Sequence, residues 1–263
     1  MFELLGFLSA VLIGISLGLI GSGGSILTVP VLVYLFNVEP VMATAYSLFI
    51  VGLTALVGSF RYMKDSLLDY KTALVFSLPA FVAVFLSRMF IIPLLPDVVI
   101  SLNGYAVTKG TFLLIVFAIL MVMAAISMIK DKKSEVNFND LKFNYPLIFI
   151  EGFIVGILTG LVGAGGGFLI IPALVLLAKL PMKVAVGTSL LIIAVKSLIG
   201  FTGDIGSGQF INWLFLFEVS AVAIAGIFIG FYLSKKFSGA KLKPFFGWFV
   251  LAMGVYIIIK ETF

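Results

Sequence analysis

The chain alternates long apolar blocks with short polar breaks. The blocks run over Leu4–Ile20, Ile26–Phe36, Val41–Phe60, Ala73–Leu95, Thr111–Ile129, Leu147–Val162, Phe168–Ala178, Val184–Thr202, Ile211–Leu233 and Phe245–Ile259. A helix needs about 20 apolar residues to cross a bilayer, and most blocks are near that length. Ile26–Phe36 and Phe168–Ala178 are much shorter. At about 1.5 Å per residue each covers roughly half of the hydrocarbon core. The pattern predicts an all-α polytopic integral membrane protein.

The two short blocks are copies of one another. Gly14-Ile15-Ser16-Leu17-Gly18-Leu19-Ile20-Gly21-Ser22-Gly23-Gly24 lies over Gly156-Ile157-Leu158-Thr159-Gly160-Leu161-Val162-Gly163-Ala164-Gly165-Gly166 at an offset of 142 residues. The same offset holds through Pro30/Pro172, Leu32/Leu174, Ala43/Ala185, Ser47/Ser189, Leu48/Leu190 and Gly58/Gly200. Identities held without a gap over that stretch indicate a duplication. The expected organisation is a first repeat over 1–130, a polar connector over 131–145 and a second repeat over 146–263.

Basic residues orient the spans, because cytoplasmic loops of membrane proteins carry the excess of Lys and Arg. Lys130, Lys132 and Lys133 place the connector in the cytoplasm, as do Arg61, Lys64 and Lys71 for one loop and Lys235, Lys236, Lys241 and Lys243 for another. The segments around Asn37–Glu39, Asp97–Asn103 and Asp204–Ser207 are poor in cations and face outward as loops, and both termini fall outside. Each half then has a glycine-broken hairpin followed by three spans. Three crossings is an odd number, so the halves are inverted relative to each other. The shortness of the second arms favours re-entrant hairpins; two full spans would leave every loop on the same side.

Composition narrows the class. Of 263 residues 62% are hydrophobic and 11% charged, with a mean hydropathy of +1.27. Soluble domains run at about 45–50% apolar and about 25% charged. A soluble enzyme and a nucleic-acid-binding domain are both excluded on that ground. The net charge of +5 therefore marks loops rather than a nucleic-acid partner, and the partner expected from composition is membrane lipid. Cysteine and histidine are both absent, which removes disulfides, thiolate chemistry and the commonest metal ligand. No cofactor or metal is expected, and no paired intramembrane carboxylates suggest an enzyme. The first apolar block has no basic n-region, so it belongs to the mature membrane domain.

The chemistry sits where the apolar pattern is interrupted. Gly21, Ser22, Gly23, Gly24 and Ser25 precede one half-helix; Gly163, Gly165, Gly166 and Gly167 precede the other. The first amides of a helix have no intrahelical partner and carry the positive end of its dipole. Two such turns meeting from opposite sides suit a small anion near the membrane midplane; glycines that only let helices pack closely are the alternative. Lys196, inside an apolar helix, is expensive there unless functional. It is expected to supply counter-charge to the anion, with snorkelling to the outer surface as the other option. Ser47 and Ser189, flanked by Tyr46 and Thr188, offer hydroxyls to a ligand or to a carbonyl one turn back. Glu218 is expected to pair with Lys196 or to carry a coupling proton. Arg88, toward the outer end of its helix, is expected to be an interfacial anchor, a ligand or a coupling charge. Glu151 lies nearer the cytoplasmic end, and Trp213 and Tyr105 suit interfacial anchors.

These residues carry a resemblance. Gly18-Leu19-Ile20-Gly21-Ser22-Gly23-Gly24-Ser25-Ile26-Leu27-Thr28-Val29-Pro30, its second copy from Gly160 to Pro172, and the pair Ala43-Thr44-Ala45-Tyr46-Ser47-Leu48 and Ala185-Val186-Gly187-Thr188-Ser189-Leu190 are similar to the sulfite exporter TauE/SafE family of membrane permeases. The resemblance covers nearly the whole chain. It implies a secondary transporter of a small anion, sulfite or an organosulfonate, in a prokaryotic plasma membrane. An anion channel with a glycine-lined filter is the alternative. Ser25 stands where the second copy has Gly167, so the two turns need not be equivalent.

Overall fold

The computed structural model describes residues 2–21, 24–102, 105–130, 145–176, 178, 180–206, 211–234 and 239–262. The expected connector, apart from Tyr145, and Ser22, Gly23, Lys235 and Lys236 lie outside them. In chain order the helices are α1 (Phe2–Ile20), α2 (Gly24–Tyr34), α3 (Pro40–Lys64) and α4 (Tyr70–Leu86), which continues through a π-helical turn at Ser87–Ile91 into α5 (Ile92–Leu94). A short ribbon of β1 (Val98–Leu102) and β2 (Tyr105–Thr108) follows. Then come α6 (Lys109–Lys130), α7 (Tyr145–Val162), α8 (Gly167–Leu176), α9 (Met182–Gly206), α10 (Trp213–Ser234) and α11 (Gly239–Thr262). Five helices among the described residues are long and apolar enough to cross a membrane: α3, α4 through α5, α6, α9 and α10.

Local signals account for the ends of these helices. Glu39 caps α3 by accepting from Met42 N, with Pro40 at the first position and Arg61 and Lys64 in the last turn. These choices suit the dipole at the C-terminus and the missing donor at the N-terminus. Asp69 caps α4 by accepting from Thr72 N. Arg61, Lys64, Lys71, Lys130 and Lys183 gather at one end of the bundle, called the basic end below.

Residues before 131 and residues after 144 do not fold side by side; they interleave. The most extensive interfaces are α1 with α10, α4 with α7, α3 with α9 and α6 with α11, each joining residues before 131 to residues after 144. Gly14 packs against the backbone at Ala223, and Gly18 against Ile227 and Gly230. In the corresponding places Gly156 packs against Ala80 and Gly160 against Val84 and Ser87. Glycine here lets backbones approach to a distance no Cβ would permit, the usual basis of helix association in lipid. α3 and α9 run antiparallel, Gly52 on Leu198 and Gly187 on Tyr62. They form the centre of the molecule: 72% of the apolar window of each is buried, against 44% for α4 and α10.

The first hairpin returns to the end at which it began. Gly24 lies against Ile13 and Leu17, and Phe36 covers Gly6 and stacks edge-on with Phe7, ring centroids 5.4 Å apart. α2 has 11 residues, about 16 Å of rise, which is too short to cross.

Two expectations change. The segment at Asp97–Asn103 is not wholly loop: β1 and β2 pair antiparallel, Leu102 opposite Tyr105. Val98, Val99 and Ile100 followed by Tyr105, Ala106 and Val107 favour strand, with an Asn-Gly pair between them that is a strong hairpin signal. The segment at Asp204–Ser207 does not start as an outer loop. Asp204 is still inside α9 and only 2% exposed, because Arg88 meets it there.

Candidate functional site

The second glycine turn is built from both ends. Gly163 N donates to Thr159 O at 2.9 Å, closing α7, and Gly166 O accepts from Leu169 N at 2.9 Å, opening α8. Gly163 and Gly166 have φ of 69° and 68°, the left-handed region that side chains disfavour. Gly163 packs on Thr44 of α3. Gly165 lies between Val51 of α3 and Ile193 of α9, and a Cβ on it would come within 3.3 Å of Ser25 Cβ. The N-termini of α2 and α8 therefore meet midway along the central pair. Gly21, also at positive φ (75°), packs on Val186 of α9.

Lys196 is fully buried and does not snorkel. Its Nζ donates to Thr159 Oγ1 at 2.7 Å and lies against Gly166. An ammonium has three donors, and Thr159 is the one hydrogen-bond partner it finds among the described residues. No carboxylate pairs with it there. An unpaired ammonium in a low-dielectric interior is costly unless a counter-ion arrives. The expected pairing with Glu218 does not occur: Glu218 lies on the exposed face of α10. That face follows from helical periodicity, since Leu216, Val219 and Ala223 take the buried stripe.

Arg88 is likewise fully buried rather than interfacial. Its Nη1 donates to Thr44 Oγ1 at 2.9 Å and to Asp204 Oδ1 at 3.4 Å. The π-helical turn at Ser87–Ile91 adds a residue to the helix and re-aims its side chains; such bulges recur at functional sites.

The serines separate. Ser47 lies between Thr44 and Val51 on the face of α3 that meets the second turn, as spacings of three and four residues require. It is buried and its Oγ has no hydrogen-bond partner among the described residues. Ser189 donates to Val186 O at 2.8 Å. Ser25 is buried where α2 begins, as is Gly167 where α8 begins. Glu151 is half-buried, away from the turns in sequence, with Oε2 unpartnered among the described residues.

Tyr46 and Thr188 do something else. Tyr46 OH accepts from Asn212 N at 2.8 Å, and Thr188 Oγ1 accepts from Asp69 N at 3.0 Å. Asn212 and Asp69 each cap the helix that follows, accepting from Phe215 N and Thr72 N. Each hydroxyl thus fastens the cap of a helix more than 100 residues away in sequence. The Thr188 clasp lies near the basic end and the Tyr46 clasp near the opposite end. Trp213 is 44% exposed at the start of α10 and stacks on Phe217, which fits an interfacial anchor.

Sequence reasoning missed Thr159, Thr44 and Asp204. A signal for Thr159 was present: where the repeats otherwise match, Leu17 is replaced by Thr159 and Thr54 by Lys196, and these two polar departures touch.

Residues 6–257 match the family described as "Sulfite exporter TauE/SafE". A "Probable membrane transporter protein YunE" of Bacillus subtilis (strain 168) is 27% identical, over 98% of this chain and 99% of that protein. A "Probable membrane transporter protein" of Xylella fastidiosa (strain Temecula1) is 30% identical, over 95% of this chain and 92% of that protein. Another, from Methanocaldococcus jannaschii, is 36% identical over 43% of this chain and 44% of its own. No solved structure matches the chain.

Proposed function

Since the chain belongs to the sulfite exporter TauE/SafE family and is a membrane transporter, not an enzyme, we propose that it carries sulfite or a small organosulfonate by alternating access. The anion sits where the two glycine turns meet. It takes the first amides of α2 and α8, the hydroxyls of Ser25 and Ser47, and the free donors of Lys196. The observation that carries this reading is Lys196: fully buried, hydrogen-bonded among the described residues to Thr159 alone, and pressed against the positive end of α8. An anion there supplies the missing counter-charge.

The two halves act as an inverted pair. Supporting this are the exchanged contacts of Gly14 and Gly156, of Gly21 on Val186 and Gly163 on Thr44, and of the two clasps. Ser25, Ser47 and Lys196 each have zero exposure, which fits an occluded carrier better than an open pore. With the basic end in the cytoplasm, the Thr188 clasp closes the inner side and the Tyr46 clasp the outer.

Purified protein in liposomes preloaded with unlabelled sulfite is expected to take up labelled sulfite in a saturable exchange. Flux no greater than in empty liposomes, for sulfite and for one- and two-carbon sulfonates, rejects the substrate class; unsaturable flux with single-channel currents rejects the carrier. The clasps give a second expectation. The chain has no cysteine, so Ser47→Cys gives a single label site. Adding Thr188→Val should raise its labelling from the cytoplasmic side, and adding Tyr46→Phe from the outside. Each removes one hydrogen bond of ~1 kcal/mol, a shift of about fivefold. Equal labelling from both sides in both variants excludes this role.

A further inference from the structure

Arg88 has a task left over after its structural bonds are counted. Both protein contacts of its guanidinium use Nη1, which donates to Thr44 Oγ1 and Asp204 Oδ1. Nε and Nη2 are buried and have no hydrogen-bond partner among the described residues. Those two nitrogens form one edge of the planar group, with parallel N–H bonds that match two oxygens of a single oxyanion. A buried donor pair without acceptors is costly, and the edge is aimed by a helix whose geometry is altered at that residue by the π-helical turn.

We infer that Arg88 is a second oxyanion subsite of the transport path, binding sulfite or a sulfonate through its Nε–Nη2 edge, with Asp204 and Thr44 holding the guanidinium in place. This rests on the anion-transport reading above and extends it to a residue outside the glycine turns. Thr44 links the two places: it receives Arg88 on its hydroxyl and carries Gly163 on its backbone. Thr44 lies four residues from the start of α3, and Arg88 and Asp204 lie toward the same end of the bundle. The subsite therefore lies between Lys196 and the end opposite the basic end. Asp204 sets its strength. One carboxylate beside the guanidinium offsets part of its charge, so an anion leaves Arg88 more readily than it would leave an unpaired arginine. A bidentate edge also favours oxyanions over chloride, which accepts at a single point.

The test measures equilibrium binding of labelled sulfite to purified, monodisperse protein, with chloride as competitor, for the wild type, Arg88→Lys, Asp204→Asn and Thr44→Val. Arg88→Lys keeps the charge and loses the paired edge. It should weaken sulfite binding about tenfold, the loss of one charge-assisted hydrogen bond of two, and make chloride a better competitor. Asp204→Asn should bind sulfite more tightly than wild type and release it more slowly in exchange. Thr44→Val should weaken binding less than Arg88→Lys, because only the positioning bond is lost. If Arg88 and Asp204 form only a structural pair, both variants lower thermal stability while the folded fraction binds sulfite with wild-type affinity, and that result overturns the subsite. Sulfite binding by wild type that is unchanged in Arg88→Lys rejects the subsite alone. No binding of sulfite or methanesulfonate by wild type rejects the transport reading together with it.

Discussion

Lys196→Met is expected to fold at least as well as wild type and to lose anion flux. The side chain is fully buried and, among the described residues, pairs with Thr159 rather than with a carboxylate, so the folded state bears the desolvation of an ammonium with little return. Replacing such a charge by an apolar chain of similar length is often neutral or stabilising by about 1–4 kcal/mol. The substrate, in contrast, loses a charge-assisted contact of about 2–3 kcal/mol, roughly a 30- to 150-fold fall in affinity. A thermal melt in detergent and sulfite exchange in liposomes should therefore move in opposite directions. Flux retained in Lys196→Met removes Lys196 from the site. Flux and melting temperature falling together assign the residue to folding.

The second large effect is expected at the glycine turns. At Gly166 a methyl group meets Thr159 Cγ2 and approaches within 2.9 Å of Lys196 Nζ; at Gly163 it strikes the backbone of Thr44. Both positions also have φ near +68°, which costs an L-residue about 1–2 kcal/mol. With overpacking of about 1–3 kcal/mol, Gly163→Ala should destabilise by ~3 kcal/mol. Gly166→Ala has a softer neighbour in Lys196 and should fold better than Gly163→Ala while still displacing the ammonium. Gly206→Ala is the control, since no described residue lies within 4 Å of its added Cβ; it should stay within about 0.5 kcal/mol of wild type. Yield and melting temperature in detergent rank the three. A well-folded Gly163→Ala contradicts the tight packing on Thr44.

Much of the architecture was legible because membranes impose it locally. The apolar blocks became helices with ends within a few residues of those expected: α3 covers Val41–Phe60, and α9 covers Val184–Thr202. The half-length of the α2 and α8 blocks follows from counting residues. Lys196 stood out because a lysine deep in an apolar helix is rare. Less local matters were misjudged. Arg88 has the same sequence context as an interfacial arginine, and only its meeting with Asp204, 116 positions away, makes it a core residue. Glu218 has the same hydropathy context as Lys196 yet faces outward, because helix phase, not depth, decides exposure. Tyr46 and Thr188 flank the matched serines, but their hydroxyls face Asn212 and Asp69 across the interface between the halves.

The sequence by itself determined that this is a membrane protein of many apolar helices, and it shows a glycine-rich stretch that recurs beside a short apolar block. Those properties depend on composition, block length and an offset of 142 residues, none of which requires knowing what packs on what. Only the tertiary structure decided which polar groups meet. Lys196 and Thr159, Arg88 with Thr44 and Asp204, and the turn at Gly165 beside Ser25 each join residues far apart in sequence. The reason is physical. Burial in lipid is read from a single side chain's transfer cost, whereas the partner that makes a buried polar group affordable is set by helix phase and by the interleaving of two halves.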